Sequence, residues 1–101
     1  MSVGVLSAYM VLDFTDERGE IGPMLMGDLG ADVIRVETPN GSEARRAPPF
    51  LETAETDLRS LQFLAFNRNK RSICLDPSSD ADKAILAALI ARTDFIVESG
   101  Q

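Results

Sequence analysis

Two segments of similar pattern constrain the fold of this chain most strongly. Residues Asp28–Glu37 (DLGADVIRVE) and Phe66–Asp76 (FNRNKRSICLD) each place a polar or glycine-marked turn before a short apolar run that ends in a carboxylate. This pattern is typical of strands in a parallel sheet. Because the carboxyl ends of parallel strands share one edge of the sheet, we expect both segments to end beside one crevice, where open α/β sheets bind ligands.

Four apolar runs are predicted to be strands: Met10–Phe14, Asp32–Glu37, Arg71–Asp76 and Asp94–Glu98. Between them, helical spacing and capping signals predict helices. We therefore expect an α/β fold: a Rossmann-like parallel sheet of about four strands with flanking helices. Only two helices are substantial, and the chain ends at Gln101 just after the fourth run. Residues 1–101 are therefore interpreted as an incomplete domain that lacks part of its helical cover.

The first and the longest helix carry recognisable start and stop signals. Thr15 or Asp16 is predicted to cap the first helix, Pro23 suits its first turn, and Gly30 suits the position just after its end. Ser78 or Ser79 is predicted to open the longest helix, which Arg92 closes.

The middle of the chain is predicted to be irregular. Residues 38–58 carry three prolines and a glycine and are interpreted as a long loop, followed by a short helix between Arg59 and Asn67. The predicted order is thus β-α-β, long loop, short helix, β-α-β. A loop of this length is uncommon in a compact domain and is often functional or part of an interface.

Composition excludes several classes of function. The net charge of −6 argues against nucleic acid and anionic lipid as partners. Because the chain has no histidine, Ser-His and Cys-His triads and the usual zinc ligand sets are excluded, and we expect no metal site. No apolar run reaches the length of a membrane span. The one cysteine, Cys74, fits a reducing cytoplasm and is predicted to be a small buried apolar residue in a strand.

A dinucleotide site of the NAD type is disfavoured. Glu37 stands where such a site has its ribose-binding acid, but the first turn offers only Gly19 and Gly22, with charged Glu20 between them. A carboxylate at that place would repel a pyrophosphate, whereas the fingerprint needs small residues that let backbone amides approach it.

The chain resembles family III CoA-transferases, a group that includes formyl-CoA transferase, the carnitine CoA-transferases and α-methylacyl-CoA racemase. The resemblance runs from about Val11 onward and corresponds to the amino-terminal part of a family member. It rests on the order of short motifs: Val11–Thr15, Gly22–Pro23, Asp28–Glu37, Phe66–Ser72, Leu75–Asp76 and Asp94–Glu98.

The resemblance implies a coenzyme A-binding domain of a transferase that moves coenzyme A between carboxylic acids through an aspartyl intermediate. It implies acyl-CoA and carboxylic acid substrates, and two intertwined subunits in the full-length protein. The nucleophilic aspartate of the family follows this region, so no catalytic residue is assigned here. The formyl-CoA transferase loop carries an active-site glutamine, and Glu20 or Ile21 occupies that place in this chain.

The resemblance also implies a coenzyme A site at the end of the third strand. Its predicted residues are Leu75, Asp76, Pro77 and Ser78, where a turn with free amides could hold a phosphate. The family's basic residue after the second strand is Thr38 here, so Lys70 and Arg71 are also assigned to the phosphates, with Arg45 and Arg46 as further candidates. As alternatives, Asp76 caps its own turn, Asn67 and Asn69 are turn residues, and the basic residues form surface ion pairs.

Two other functions remain open from the sequence. The same domain occurs in an α-methylacyl-CoA racemase, which transfers a proton at the carbon beside the thioester. The chain could also be a non-enzymatic, split subunit that pairs with the rest of the enzyme, because a predicted edge strand with thin helical cover favours a partner.

Overall fold

The computed structural model describes residues 4–51 and 59–99. The elements, in chain order, are β1 (Met10–Asp13), α1 (Ile21–Asp28), β2 (Asp32–Glu37), a 3-10 helix (Glu43–Arg46), β3 (Phe50–Leu51), β4 (Arg59–Ser60), α2 (Leu61–Phe66), β5 (Lys70–Cys74), α3 (Asp80–Arg92) and β6 (Phe95–Val97).

Four strands form the main sheet in the order β5-β2-β1-β6. All three pairs are parallel, and Val11 lies opposite Val33 of β2 and Phe95 of β6. Val33 in turn lies opposite Lys70 of β5. The predicted four-stranded parallel sheet is therefore confirmed, and its order is that of the first four strands of a doubly wound Rossmann sheet.

The two faces of the sheet have different contents. Because side chains alternate along a strand, Val11 and Asp13 share one face with Val33 and Arg35 of the neighbouring strand. Met26 of α1 packs against Val11 and Val33, so this is the α1 face. The opposite face carries Leu12, Ile34 and Val36, and α3 approaches it at the carboxyl edge; we call it the α3 face.

The start of α1 differs from the prediction. The helix begins at Ile21, and neither Thr15 nor Asp16 caps it. Thr15 instead donates to the Asp13 carboxylate through its amide, at 2.8 Å, and Asp16 pairs with Arg18 at 2.5 Å. Both residues predicted to cap the helix thus bind neighbouring side chains and not the helix. The predicted end is confirmed, because Gly30 follows the helix with a φ of +105°, a conformation that favours glycine.

The middle of the chain is more ordered than predicted. The long-loop prediction is wrong for the 3-10 helix, which Ser42 caps, and for β3, which pairs antiparallel with β4. Ser60 caps α2 through its side chain, and Ser79 caps α3 in the same way. Residues 52–58 of the predicted loop lie outside the described residues.

The prediction that Cys74 is buried is wrong. Cys74 ends β5 and is exposed. The physical reason is that, among the described residues, β5 is an edge strand paired with β2 alone, so apolar character did not bring its last residue into the core. The buried apolar core instead lies on the two interior strands, where Val11, Leu12 and Val33 are almost completely buried.

Candidate functional site

A groove opens on the α3 face at the carboxyl edge of β2 and β5. Its cavity volume is about 200 Å³. The wall is largely apolar and comes from the ends of three strands and the first two turns of α3. The lining residues are Phe14, Val36, Glu37, Thr38, Leu75, Asp76, Pro77, Asp82, Lys83 and Leu86. Three of the predicted site residues, Leu75, Asp76 and Pro77, therefore lie in one groove, and Ser78 follows them directly.

The turn after β5 is closed by its own hydrogen bonds. The Asp76 carboxylate accepts from the Ser78 amide at 2.9 Å and from the Ser78 hydroxyl at 2.7 Å. These bonds lower the pKa of Asp76. The Asp76 amide donates to the Asp82 carboxylate at 2.7 Å, and the Ser79 amide donates to the Asp76 carbonyl at 3.1 Å. The expectation of free amides is therefore wrong for Asp76, Ser78 and Ser79, and the turn-capping alternative for Asp76 is correct.

Lys83 brings a positive charge to the groove. It lies in the first turns of α3, is exposed, and forms no ion pair within the described part of the chain. Leu86 follows three residues later and lines the same groove, as expected for neighbours on one helix face. Sequence reasoning missed Lys83. The signal that could have found it is its position in the helix that follows the predicted Leu75–Ser78 turn.

Lys70 and Arg71 do not join the other predicted site residues. Lys70 lies on the α1 face, where its buried ammonium is 2.7 Å from the Asp13 carboxylate. Arg71 pairs with Asp32, at the amino end of β2, at 2.7 Å. Alternation along β5 sends these consecutive side chains to opposite faces, and neither lines the groove.

The other two candidate cations are also paired. Arg45 binds the Glu37 carboxylate at 2.6 Å, and Arg46 binds Glu43 at 3.2 Å. Burial by itself raises the pKa of Glu37, but hydrogen bonds from Arg45, the Ser72 hydroxyl and the Ser42 amide outweigh it and lower the pKa to about 2. The carboxylate of Glu37 is thus fully engaged by protein groups.

A cluster of four buried charged side chains and the half-buried amide of Asn67 lies on the α1 face, at the same edge of the sheet. It contains Asp13, Glu20, Arg35, Asn67 and Lys70; we call it the buried cluster. The side chains of Asp13, Glu20, Arg35 and Lys70 are at most 2% exposed. Arg35 lies 3.4 Å from the Asp13 carboxylate and 3.3 Å from the Glu20 carboxylate. Two acids and two bases therefore balance one another in formal charge.

Burial shifts two of these groups away from their charged forms. It raises the pKa of Glu20, against the hydrogen bond from Asn67 and the charges of Arg35 and Lys70. It lowers the pKa of Lys70, against the bond to Asp13. Glu20 therefore faces the protein interior, whereas Ile21, the other residue considered for the active-site position, is half exposed on α1. The cluster was not recognised in the sequence, because its members come from five separate places: β1, the loop before α1, β2, the turn before β5, and β5 itself.

Two kinds of feature are absent from the described ranges. No three His, Cys, Asp or Glu side chains are grouped so that they could hold a metal ion there. Within residues 4–51 and 59–99, no helix has the length and apolarity that crossing a bilayer requires.

Comparison with known proteins gives consistent matches. The profile described as CoA-transferase family III matches residues 6–101. Succinyl-CoA:mesaconate CoA-transferase of Haloarcula hispanica is 38% identical over 98 residues, covering 96% of this chain and 25% of the relative. Formyl-CoA:oxalate CoA-transferase of Streptomyces coelicolor is 39% identical over 100 residues, covering 98% of this chain and 23% of the relative.

A solved structure shows the same fold. The crystal structure of a CAIB/BAIF family protein from Brucella suis superposes with a TM-score of 0.80 at 33% sequence identity. The match covers 96% of this chain and 26% of that chain. The chain thus spans about a quarter of the length of the relatives it matches.

Proposed function

Because this chain belongs to CoA-transferase family III, we propose that it forms the coenzyme A-binding, amino-terminal portion of an enzyme that moves coenzyme A between carboxylic acids. The observation that carries the proposal is the groove at the carboxyl edge, which unites Leu75, Asp76 and Pro77 in a sheet of Rossmann order. Ligands bind at this edge in open α/β sheets.

The size and lining of the groove favour one part of coenzyme A. At about 200 Å³ it is smaller than the roughly 300–1,000 Å³ of sites that enclose a drug-sized molecule. We propose that it receives the adenine ring against Val36, Leu75 and Pro77, which offer apolar contact. Lys83, at the same groove, would then meet a phosphate of the nucleotide.

Calorimetric titration of the chain with coenzyme A tests this proposal. Adenosine 3′,5′-bisphosphate should compete for the site, whereas pantetheine, which lacks the nucleotide, should not. Lys83→Ala should weaken binding by about three- to tenfold, in keeping with roughly 1 kcal/mol for one exposed charge contact.

Arg71→Ala is the matched control. The sequence predicted that Arg71 binds a phosphate, but the residue lies outside the groove and pairs with Asp32. The variant should change the dissociation constant by less than about twofold, as expected for an exposed ion pair. Loss of binding in Arg71→Ala with full binding in Lys83→Ala would reverse the assignment. No saturable binding of coenzyme A to the unaltered chain would refute the proposed site.

We further propose that the aspartate that forms the aspartyl intermediate lies outside these 101 residues. The carboxylate of Asp13 is buried in an ion pair, and that of Asp76 holds its own turn. The named relatives are CoA-transferases, which favours a transferase function for this chain's enzyme over that of a racemase. The isolated chain should show no transfer from succinyl-CoA to a carboxylic acid, and measurable transfer would contradict this part of the proposal.

The exposed apolar residues of α3 and β6 favour a second proposal, that this chain pairs with the remaining part of the family fold. Ile85 and Ile90 of α3 and Phe95 and Ile96 of β6 are each 43–51% exposed. Apolar side chains exposed on α3 and on both faces of the edge strand β6 indicate a side of the domain that another segment covers. We propose that the remainder of the fold, in the same polypeptide or a separate one, covers it, and that the complete enzyme is an intertwined homodimer.

Co-expression with a polypeptide that carries the remaining three quarters of a family member, followed by size-exclusion chromatography, tests this pairing. Co-elution that Ile85→Ser and Ile96→Ser together abolish supports it. Arg46→Ser, which removes an exposed residue of the 3-10 helix, should not disturb co-elution. A chain that elutes alone as a monomer in the presence of the second polypeptide contradicts the proposal.

A further inference from the structure

The loop that joins β1 to α1, residues 14–20, borders the point where the strand order reverses. In the sheet, β1 lies between β2 and β6. The later strands of the chain are therefore added first on one side of β1, as β2 and β5, and then on its other side, as β6. In open α/β sheets this reversal leaves a crevice outside the carboxyl ends, and ligands bind there. The segments that leave β1 and β6 meet at this place. The Asp16 amide donates to the Ser99 hydroxyl oxygen at 2.9 Å, and the Ser99 hydroxyl donates to Asp16 Oδ1 at 2.8 Å.

The close approach of these segments requires a small residue in the loop. A Cβ added at Gly19 would lie 2.7 Å from the Ser99 Cβ and 3.2 Å from the Thr15 Cγ2. The loop therefore occupies a defined position against the end of β6.

The buried cluster holds the backbone of this loop at both ends. Arg35 Nη2 donates to the Thr15 carbonyl at 2.9 Å. Lys70 Nζ donates to the Glu20 carbonyl at 3.1 Å. Both donors come from outside the loop, Arg35 from β2 and Lys70 from β5, so the loop is positioned by the sheet itself.

Asn67 connects the members of the cluster. Its Oδ1 accepts from Arg35 Nη1 at 2.9 Å and from Lys70 Nζ at 2.8 Å. Its Nδ2 donates to the Glu20 carboxylate and to the Phe63 carbonyl, the latter at 3.0 Å. An asparagine side chain has two donors and two acceptor sites, and all four are used here. An aspartate could not donate to Glu20 and would face it with a like charge.

The cluster is poorly arranged for stability alone. Glu20 Oε1 and Arg35 Nε are buried without a hydrogen-bond partner among the described residues. Buried ion pairs seldom add net stability relative to well-packed apolar residues, and partly satisfied ones are costly. The position of the cluster beneath the loop is therefore the more informative property.

We infer that Asn67 and Lys70 are positioning residues, which, with Arg35, fix the backbone of the 14–20 loop at the ligand crevice without contacting the ligand. This replaces the predicted phosphate-binding role of Lys70. The identity of the ligand as coenzyme A rests on the proposed function, whereas the positioning of the loop does not.

Hydrogen exchange and coenzyme A titration of Asn67→Asp test the inference. The variant should exchange the amides of residues 16–20 about tenfold faster, while the amides of Met10–Asp13 and Asp32–Glu37 stay protected, since local opening is separable from global unfolding. Its dissociation constant for coenzyme A should rise by about three- to tenfold, because Phe14 of the loop lines the groove and a loop that must be ordered on binding lowers affinity.

The decisive variant is the exchange of donor and acceptor. In Glu20→Gln with Asn67→Asp, the new amide at position 20 can donate to the new carboxylate at position 67, with the net charge unchanged. The double variant restores the hydrogen bond between positions 20 and 67 but not the bond to the Phe63 carbonyl, so it should recover most of the change that Asn67→Asp makes in loop exchange and affinity, as expected for directly coupled residues. Asn69→Asp is the matched control, because Asn69 belongs to the same motif but bonds the exposed Asp28 at 2.5 Å; it should alter neither readout.

The outcomes separate the two proposals. Unchanged loop exchange, exchange that rises equally in all strands, or failure of the double variant to restore the loop would overturn the inference. If Asn67→Asp does not fold, Asn67→Ser decides by the same exchange pattern, because it shortens the side chain and removes its amide donor without adding charge. If the unaltered chain does not bind coenzyme A, the proposed function fails while the exchange result still decides the role of Asn67.

Discussion

The two interior strands and the α3–β6 side of this molecule differ sharply in burial. In β1 and β2, Val11, Leu12 and Val33 are at most 1% exposed, whereas Phe95 and Ile96 of β6 are about half exposed. All belong to the same sheet and have similar apolar character. The difference teaches that position in the sheet decides burial: a central strand has neighbours on both sides, and an edge strand depends on what covers it.

The charged residues also differ in burial, even within one strand. Arg35 and Lys70 are buried at the carboxyl edge, where Asp13 and Glu20 balance them, whereas Arg71 and Arg68 pair with exposed acids at the surface. Removing one partner of a buried ion pair is costly, because it leaves an unpaired charge in the protein interior. Exposed ion pairs contribute little to stability. Three predictions follow this contrast from its largest consequence to its smallest.

Arg35→Met should have the largest effect on stability. It leaves the buried carboxylates of Asp13 and Glu20 with Lys70 as their one remaining cation in the cluster and should lower the free energy of unfolding by about 3 to 5 kcal/mol. Urea denaturation measures the change. Arg71→Met removes an exposed ion pair and should cost less than about 1 kcal/mol. Equal losses in the two variants would show that burial of the cluster has no energetic consequence.

Leu12→Ala and Ile96→Ala each shorten a large aliphatic side chain to alanine, the first on an interior strand and the second on an edge strand. Leu12 is fully buried, so its truncation should cost about 3 kcal/mol through lost burial and a cavity. Ile96 is half exposed and should cost about 1 kcal/mol or less. A larger loss at Ile96 than at Leu12 would show that β6 is covered in solution, for example by self-association, which sedimentation velocity would detect.

The acid stability of the chain should depend on Glu37, with a smaller effect. Its folded-state pKa of about 2 lies below the ordinary value of 4.5, so the ionised form stabilises the fold above pH 4.5. That contribution is lost as the pH falls from about 4.5 to about 2. Because Arg45 is half exposed, we expect roughly 1 to 2 kcal/mol.

Glu37→Gln should therefore be less stable than the original chain at pH 7 and equally stable near pH 2, as measured by urea denaturation across this range. The control is Glu43→Gln, since the side chain of Glu43 is 85% exposed. A difference between Glu37→Gln and the original chain that persists unchanged to pH 2 would contradict the assignment.

Much of the backbone could be predicted from local patterns. The bounds of β2, Asp32–Glu37, follow from its apolar run and its flanking turns, and Gly30 identifies the end of α1. The cap of α1 could not be predicted, because Thr15 and Asp16 bind nearer partners than the helix. The 3-10 helix and β3 were missed because the contacts of the helix with α2 and β4, and the pairing of β3 with β4, are not visible in residues 38–58 alone.

The candidate site was predicted where it is continuous in sequence and missed where it is not. Leu75, Asp76 and Pro77 follow one strand and were found together, whereas Lys83 enters from the next helix. The assignment of Lys70 to a phosphate followed from its charge alone. Its actual partner, Asp13, lies two strands away across the sheet.

The sequence by itself determined the parallel α/β class, the four strand segments and the family, because apolar periodicity and ordered motifs are properties of neighbouring residues. Tertiary structure alone decided which charges are buried together, because the face on which a side chain lies depends on strand register and on the partners that surround it. Lys70 and Arg71 show this most directly: they are adjacent and both basic, yet Lys70 pairs with the buried Asp13 and Arg71 pairs with an exposed acid.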